Sequence, residues 1–364
     1  MKVKLGKVIQ LNPREQISKG KVAKKIAMDN LEPYTRKVSG YDLDIYKGGT
    51  KFRNKDTLLA RITPCLENGK TAYVNILDDN EVAFGSTEYF VLRAKKELID
   101  PLYLYYLSIS RKFRTVAIKS MTGTSGRQRV QKDSILNYEF DLPQMEEQKR
   151  IAKMIGCLDD KKVLNDKIND NLLELAKASY RKVLAASNLT ETKLKDFATI
   201  TMGQSPSSKT YNEDKVGLAL LNGAADFRNG IHPSKWTTDP KRIVNKGSYI
   251  FGVRATIGLT TKVFDKYAIG RGTGSAVSKD TVNDEFLYFV LDDMFKYFSN
   301  SGTGSVYINI SKSDFNDYIF CKPQTNDLQK FHQTVGPIMN KIYTNKQENL
   351  ILTQVKETLL NKYF

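Results

Sequence analysis

The segment Gly123-Thr124-Ser125-Gly126-Arg127-Gln128-Arg129 places two arginines and a glutamine directly behind a glycine-bounded turn. Arg and Gln are side chains that can make paired hydrogen bonds to guanine or adenine edges in the major groove of DNA. Thr124, Arg127, Gln128 and Arg129 are therefore candidate DNA contacts. Arg53, Arg61, Arg254, Arg271 and Lys312 are further candidates, suited to phosphates rather than bases. A corresponding loop in the second half runs Gly304-Ser305-Val306-Tyr307-Ile308 and offers Tyr307 but no arginines. If both loops face DNA, the two halves read different sequences.

Other chemistry finds little support. Asn68-Gly69-Lys70-Thr71 resembles the end of a phosphate-binding loop, yet Pro64 stands where the first glycine must be, so a strand-edge turn is expected. Gly270-Arg271-Gly272-Thr273-Gly274 departs from the dinucleotide-binding fingerprint and reads as a flexible or tightly turned surface loop. Glu147-Gln148-Lys149 and Glu191-Thr192-Lys193 carry an acidic-x-Lys pattern found in nucleases, which a Lys-rich chain also generates by chance. No Asn-Pro-Pro-aromatic tetrapeptide of an amino-methyltransferase occurs. Cys65, Cys157 and Cys321 lack metal-ligand spacing, and His232 and His332 are 100 residues apart, so neither a metal site nor a His-based triad is expected. The expectation is a binding protein with no catalytic residues, no metal and no cofactor of its own.

Composition agrees. The chain has 364 residues, 40% of them hydrophobic, and a formal charge of +17, which favours a polyanionic partner. Residues 1–144 hold 26 basic and 16 acidic side chains, against 17 and 14 in residues 189–324. No apolar run approaches the ~20 residues needed to span a bilayer, and Met1-Lys2-Val3-Lys4-Leu5-Gly6-Lys7 has no apolar signal core. A cytoplasmic location without a membrane partner is expected, and an odd number of cysteines suits that compartment.

The candidate residues must be positioned by a scaffold that occurs twice. Gly123-Thr124, Lys132 and Pro143-Gln144 return as Gly302-Thr303, Lys312 and Pro323-Gln324, an offset of about 180. Thr57–Ile62, Lys70–Leu77 and Val82–Leu92 read as strands. A helix opens at Asp100-Pro101, with Leu102, Tyr105, Tyr106, Ile109, Phe113 and Val116 along one face. Residues 135–142 read as a closing strand. The second copy repeats the order, with a helix over residues 284–298 and a closing strand over 315–320.

Each copy ends in a long amphipathic run. Ile151, Leu158, Asn165, Leu172 and Ser179 recur every seven residues, flanked by Met154, Ile155, Ile168 and Leu175. Their counterparts are Phe331, Ile338, Asn345, Leu352 and Leu359. A heptad repeat needs a partner helix, and chain connectivity makes the expected pair antiparallel. Asn165 and Asn345 are expected to lie close together at mid-seam. The fold class is α/β (α+β): two similar mixed-sheet domains at 1–144 and 189–324, separated by two long antiparallel coiled-coil helices about 60 Å long at 145–188 and 325–364.

Taken together, Thr122-Gly123-Thr124-Ser125-Gly126-Arg127-Gln128, Leu142-Pro143-Gln144-Met145-Glu146-Glu147-Gln148 with Ile151, and Lys322-Pro323-Gln324 resemble the specificity subunit of type I restriction-modification systems. The resemblance covers essentially the whole chain. It implies two target-recognition domains, each reading half of a split double-stranded DNA site, on helices that serve as a ruler and a platform for two modification subunits. Those partners would bind S-adenosylmethionine and methylate adenine, and restriction/motor subunits, with Mg and ATP, would complete the complex. The second copy departs from the pattern, with Asp327-Leu328-Gln329 where the first has Glu147-Gln148-Lys149. Two other readings are a self-contained nuclease or methyltransferase and a coiled-coil protein scaffold.

Overall fold

A computed structural model describes residues 2–228, 230–253, 257–301 and 311–364. Arg254, Tyr307 and most of the second glycine loop lie outside the described residues. The chain divides into two compact units, Met1–Lys162 with Leu352–Phe364, and Val163–Ile351.

The first unit holds two four-stranded sheets. One has the spatial order Ile9–Leu11, Tyr89–Ala94, Thr57–Ala60, Thr71–Tyr73 and is antiparallel throughout. The other has the order Asp42–Ile45, Val22–Ile26, Ala83–Gly85, Thr50–Phe52, with Val22–Ile26 and Ala83–Gly85 parallel. The single strand expected over Val82–Leu92 is thus two strands in different sheets. The break is a turn in which Tyr89 N donates to Ser86 O (3.3 Å) and Glu88 N to Ser86 Oγ (3.1 Å).

The helix expected from Asp100 is also two. Asp100 caps Pro101–Ile109 by accepting from the amides of Leu102 and Tyr103, both at 2.9 Å. Ser110 then takes extended backbone, ends that helix and caps Arg111–Lys119. Tyr103 through Ser108 are all buried, because this short helix is covered on more than one side, whereas Val116 faces solvent and Ala117 packs inward. The closing strand is Glu139–Asp141, paired with Lys2–Lys4; a short helix, Lys132–Leu136, occupies the start of the expected strand.

The second unit repeats this plan. Ala198–Met202, Thr273–Ser278, Tyr249–Val253 and Ile257–Lys262 form an antiparallel sheet with the same order of copies. A mixed five-stranded sheet again contains one parallel pair, Leu218–Leu221 with Tyr267–Ile269. Leu189–Lys193 pairs with Ile319–Pro323, and Lys312–Asp317 is helical, so the expected strand over 315–320 also begins in a helix. Asp284–Ser301 is one helix where the first copy has two. The buried aromatic rings Phe286, Phe289, Phe331 and Tyr180 pack together in its core.

The long helices are Met145–Ala186 and Thr325–Tyr363. Their pairing is antiparallel in each unit. In the first unit Lys356 Nζ donates to Asp159 Oδ1 and Lys162 Nζ to Thr353 Oγ1, both at 2.7 Å. Ile151 belongs to an apolar cluster there with Phe364, Leu359 and Leu360. In the second unit Asn165 donates to Glu348 Oε2 (2.8 Å) and Asn349 Oδ1 (2.9 Å), and Asn345 to Asn169 Oδ1 (2.9 Å).

The seam differs from the expected one in detail. Ile151, Asn165, Phe331 and Asn345 are buried, while Leu158, Leu172, Ile338 and Leu352 are half-buried. The buried stripe also takes in Asp159, Asn169 and Ala176, and Leu175 is 54% exposed. The buried residues of the first helix fall in steps of four, Ile151, Ile155 and Asp159, then Asn165 and Asn169, then Ala176 and Tyr180, so the contact line takes in more than the one position in seven expected. Asn165 and Asn345 are not each other's partners: each bonds the asparagine one turn beyond the other.

Candidate nucleic-acid interface

Residues 122–129 form a tight hairpin. Thr122 and Arg129 exchange backbone hydrogen bonds of 3.1 and 2.9 Å, and Arg127 N closes a turn on Thr124 O at 2.9 Å. Gly123 (φ 131°) and Gly126 (φ 77°) take conformations that L side chains rarely adopt. The hairpin is fastened to the end of the Thr57–Ala60 strand: Thr63 N donates to Gln128 O (3.0 Å) and Val130 N to Arg61 O (2.8 Å). Sequence-distant Arg61 and the hairpin are thereby neighbours. Thr124, Ser125 and Arg127 are exposed at its tip and Gln128 is half-buried.

The arginines sort into engaged and available groups. Arg129 is held by Glu88 in a fork, with Nε to Oε2 at 3.0 Å and Nη2 to Oε1 at 2.7 Å. That fork pulls the Glu88 carboxyl below the usual glutamate range, against a smaller opposing effect of burial. Arg53 donates from Nε to Glu15 (2.7 Å) and from Nη1 to Asn80 O (3.0 Å). Arg93 bridges Glu15 (2.6 Å) and Asp56 (2.7 and 2.6 Å). Arg53 and Arg129 therefore brace the domain internally. Arg61 stacks over Phe90, with Cζ 4.8 Å from the ring centroid and Nε 3.8 Å from Glu88 Oε2.

Three exposed cations that the sequence reading passed over, Arg111, Lys112 and Lys119, lie on the helix leading to the hairpin. Arg111 and Lys112 directly follow the cap residue Ser110, which no spacing rule marks as a helix break. Glu88, Glu15 and Arg93 were also missed, because their roles depend on partners 27 to 78 residues away.

In the second unit Arg271 and Lys312 are exposed. Only Arg271-Gly272 turns; Gly270 is buried and Thr273 and Gly274 belong to the buried strand Thr273–Ser278, so the expected surface loop is mostly a strand entry, and its glycines have a packing cause. A Cβ on Gly270 would lie 2.0 Å from Asn222 Oδ1, one on Gly272 2.4 Å from Asn222 O, and one on Gly274 2.4 Å from the Phe251 ring.

The acidic-x-Lys segment of the first long helix holds no cluster. Glu147 pairs with Arg150 at 2.6 Å on an exposed face. Gln148 is buried: its Oε1 accepts from Asp100 N (2.8 Å), and its Nε2 donates to Pro143 O (2.9 Å) and Leu98 O (3.3 Å). At the equivalent place Leu328 enters an apolar cluster, which explains why the second copy dispenses with the Glu-Gln pair. His332 Nδ1 meets Glu285 Oε2 at 2.5 Å. Among the described residues no His, Cys, Asp or Glu side chains are grouped as a metal site would require, and no helix is long and apolar enough to cross a membrane.

A duplicated mixed-sheet domain, each copy followed by a long helix and the first carrying an arginine-flanked hairpin, defines a repeat DNA-recognition scaffold. The type I restriction modification DNA specificity domain model matches residues 1–174 and again 187–354, and the chain belongs to that family. It is 23% identical over 398 residues to the HindI type I restriction enzyme specificity subunit of Haemophilus influenzae, covering 84% of each chain. It is 26% identical over 300 residues to the candidate MjaX specificity subunit of Methanocaldococcus jannaschii, covering 74% of this chain and 69% of that one. The crystal structure of a type I restriction-modification system S subunit from M. genitalium shares the fold, with a TM-score of 0.60, 16% identity, and coverage of 100% of this chain and 96% of that one.

Proposed function

We propose that this chain is the DNA-recognition subunit of a type I restriction-modification complex and reads a bipartite duplex target, one half through each repeat. The observation that carries this is the double match of one specificity-domain model to two units with the same sheet order but different loop chemistry. A common scaffold with different loops suits two different half-sites.

The chain itself contributes recognition and no catalytic group. S-adenosylmethionine is the cofactor of two methyltransferase partners, and Mg and ATP serve the restriction subunits. The exposed Arg127, Arg111, Lys112 and Lys119 supply phosphate attraction in the first domain, and Arg271 and Lys312 in the second. Mapping of methylated adenines in cells that express the chain with its methyltransferase partner tests the reading. A split motif is expected; methylation without sequence preference refutes it.

A further inference from the structure

Glu88 holds two arginines, and it treats them unequally. Arg129 takes both carboxylate oxygens. Arg61 stays 3.8 Å away, stacked on Phe90, and its Nε is buried without a hydrogen-bond partner. With Nε buried against Glu88 and the side chain 30% exposed, the terminal guanidinium nitrogens are the donors left to meet an incoming acceptor. The stacked guanidinium also has its plane set in advance, so little side-chain freedom remains to be lost on binding.

Resting on the DNA-recognition reading, we infer that Glu88 is a positioning residue that presents the Arg61 guanidinium to a guanine in the half-site read by the first domain. A planar fork held at a fixed tilt matches the O6 and N7 acceptors of guanine, whereas a phosphate contact makes no demand that lysine cannot meet.

The second repeat shows that the pair is dispensable to the scaffold. Strand register aligns Ala60, opposite Tyr89, with Gly252, opposite Thr273. The next residue of one strand and the preceding residue of the other are then Arg61 and Glu88 in the first copy, Val253 and Gly272 in the second. The same backbone bond is kept: Arg61 N to Glu88 O at 3.0 Å, Val253 N to Gly272 O at 3.1 Å. The side chains differ completely while the strand pairing does not. A pair required for folding alone would have to be replaced by another tie; here a valine and a glycine suffice.

The test is selection from a randomised DNA duplex library by the purified chain in complex with its methyltransferase partner, parent and variants. The parent is expected to select a split motif with a guanine in one half. Arg61→Lys and Glu88→Gln are each expected to lower affinity for that duplex about tenfold and to relax the motif at that guanine alone, leaving the other half-site intact. Arg53→Lys, whose arginine is engaged by Glu15, leaves the motif unchanged. If Arg61→Lys keeps the motif, or weakens all duplexes evenly, Arg61 is a phosphate contact and the inference falls while the DNA-recognition reading stands. If the parent selects no motif, both fall. Should Glu88→Gln lose both half-sites through misfolding, Arg61→Lys decides alone, since it leaves the Glu88–Arg129 fork in place.

Discussion

Asn345 donates through Nδ2 to Asn169 Oδ1 at 2.9 Å, and the contact has a mate: Asn165 donates to Asn349 Oδ1 at 2.9 Å. Shifting the numbers by 180 turns 165 into 345 and 169 into 349, so the repeat exchanges the two bonds. Asn165 and Asn345 are almost wholly buried. Apolar side chains would fill this stretch with less cost, but an amide accepts only a partner at one height, which sets the register of the two helices.

Removing one member of such a pair leaves a buried amide without its partner. Asn169→Leu is expected to destabilise the protein by about 1–3 kcal/mol, because Asn345 then loses its acceptor. Asn169→Leu with Asn345→Leu should cost less than the sum of the single changes. Urea denaturation of the three variants, arranged as a double-mutant cycle, measures the difference.

The first unit closes its helix pair with charge. Lys356 and Asp159 meet at 2.7 Å with side chains 8% and 10% exposed, and Tyr106 donates to the same carboxylate at 2.8 Å. Arg36 adds an ion pair to neighbouring Asp160. Burial pulls the Lys356 ammonium below its ordinary value even though Asp159 opposes the shift. By the 180-residue offset the second copy has Met339 and Ala176 at these places, both buried. Lys356→Met should cost about 3–5 kcal/mol by stranding Asp159. Asp159→Met with Lys356→Ala, which imitates the second copy, should recover at least half of that loss in equilibrium unfolding.

Glu15 sets an acid limit on the first unit. Its hydrogen bond from Arg53 is the largest influence; burial opposes it, and Arg93 adds to the lowering, so its pKa falls below the ordinary 4.5. A carboxylate with a lowered folded pKa contributes stability that is fully present above its unfolded value. That contribution is lost as pH falls through the folded value. Thermal melts between about pH 6 and pH 3 should therefore show a decline that Glu15→Gln makes shallower. An unchanged slope in Glu15→Gln would show that other carboxylates govern the acid limb.

Engaged and available arginines should separate in DNA binding. Arg127 is exposed at the hairpin tip, so Arg127→Ala should weaken duplex binding and reduce the salt slope by about one. Arg53→Ala should leave the slope nearly unchanged and lower the melting temperature instead, since it unties Glu15. Binding titrations at several salt concentrations distinguish the two outcomes.

Much of this protein was determined by its sequence alone. Repetition at a 180-residue offset, turn residues and the periodicity of the long runs are local signals, and they specified two like domains, two long helices and an arginine-bearing loop. Ser110 and the residues around Glu88 show where local signals run out. A two-sheet crossing at Ser86–Glu88 and a helix broken at a single serine depend on what packs around them, not on nearby spacing. The choice of partners belongs to the tertiary structure as well. Glu88 grips Arg129 through both oxygens and leaves the Arg61 side chain at 3.8 Å, beyond hydrogen-bond reach, and Asn165 takes Asn349 instead of Asn345, because side chains distant in sequence compete for the same few acceptors. That competition is settled by distances of a few tenths of an ångström, which only the folded chain defines.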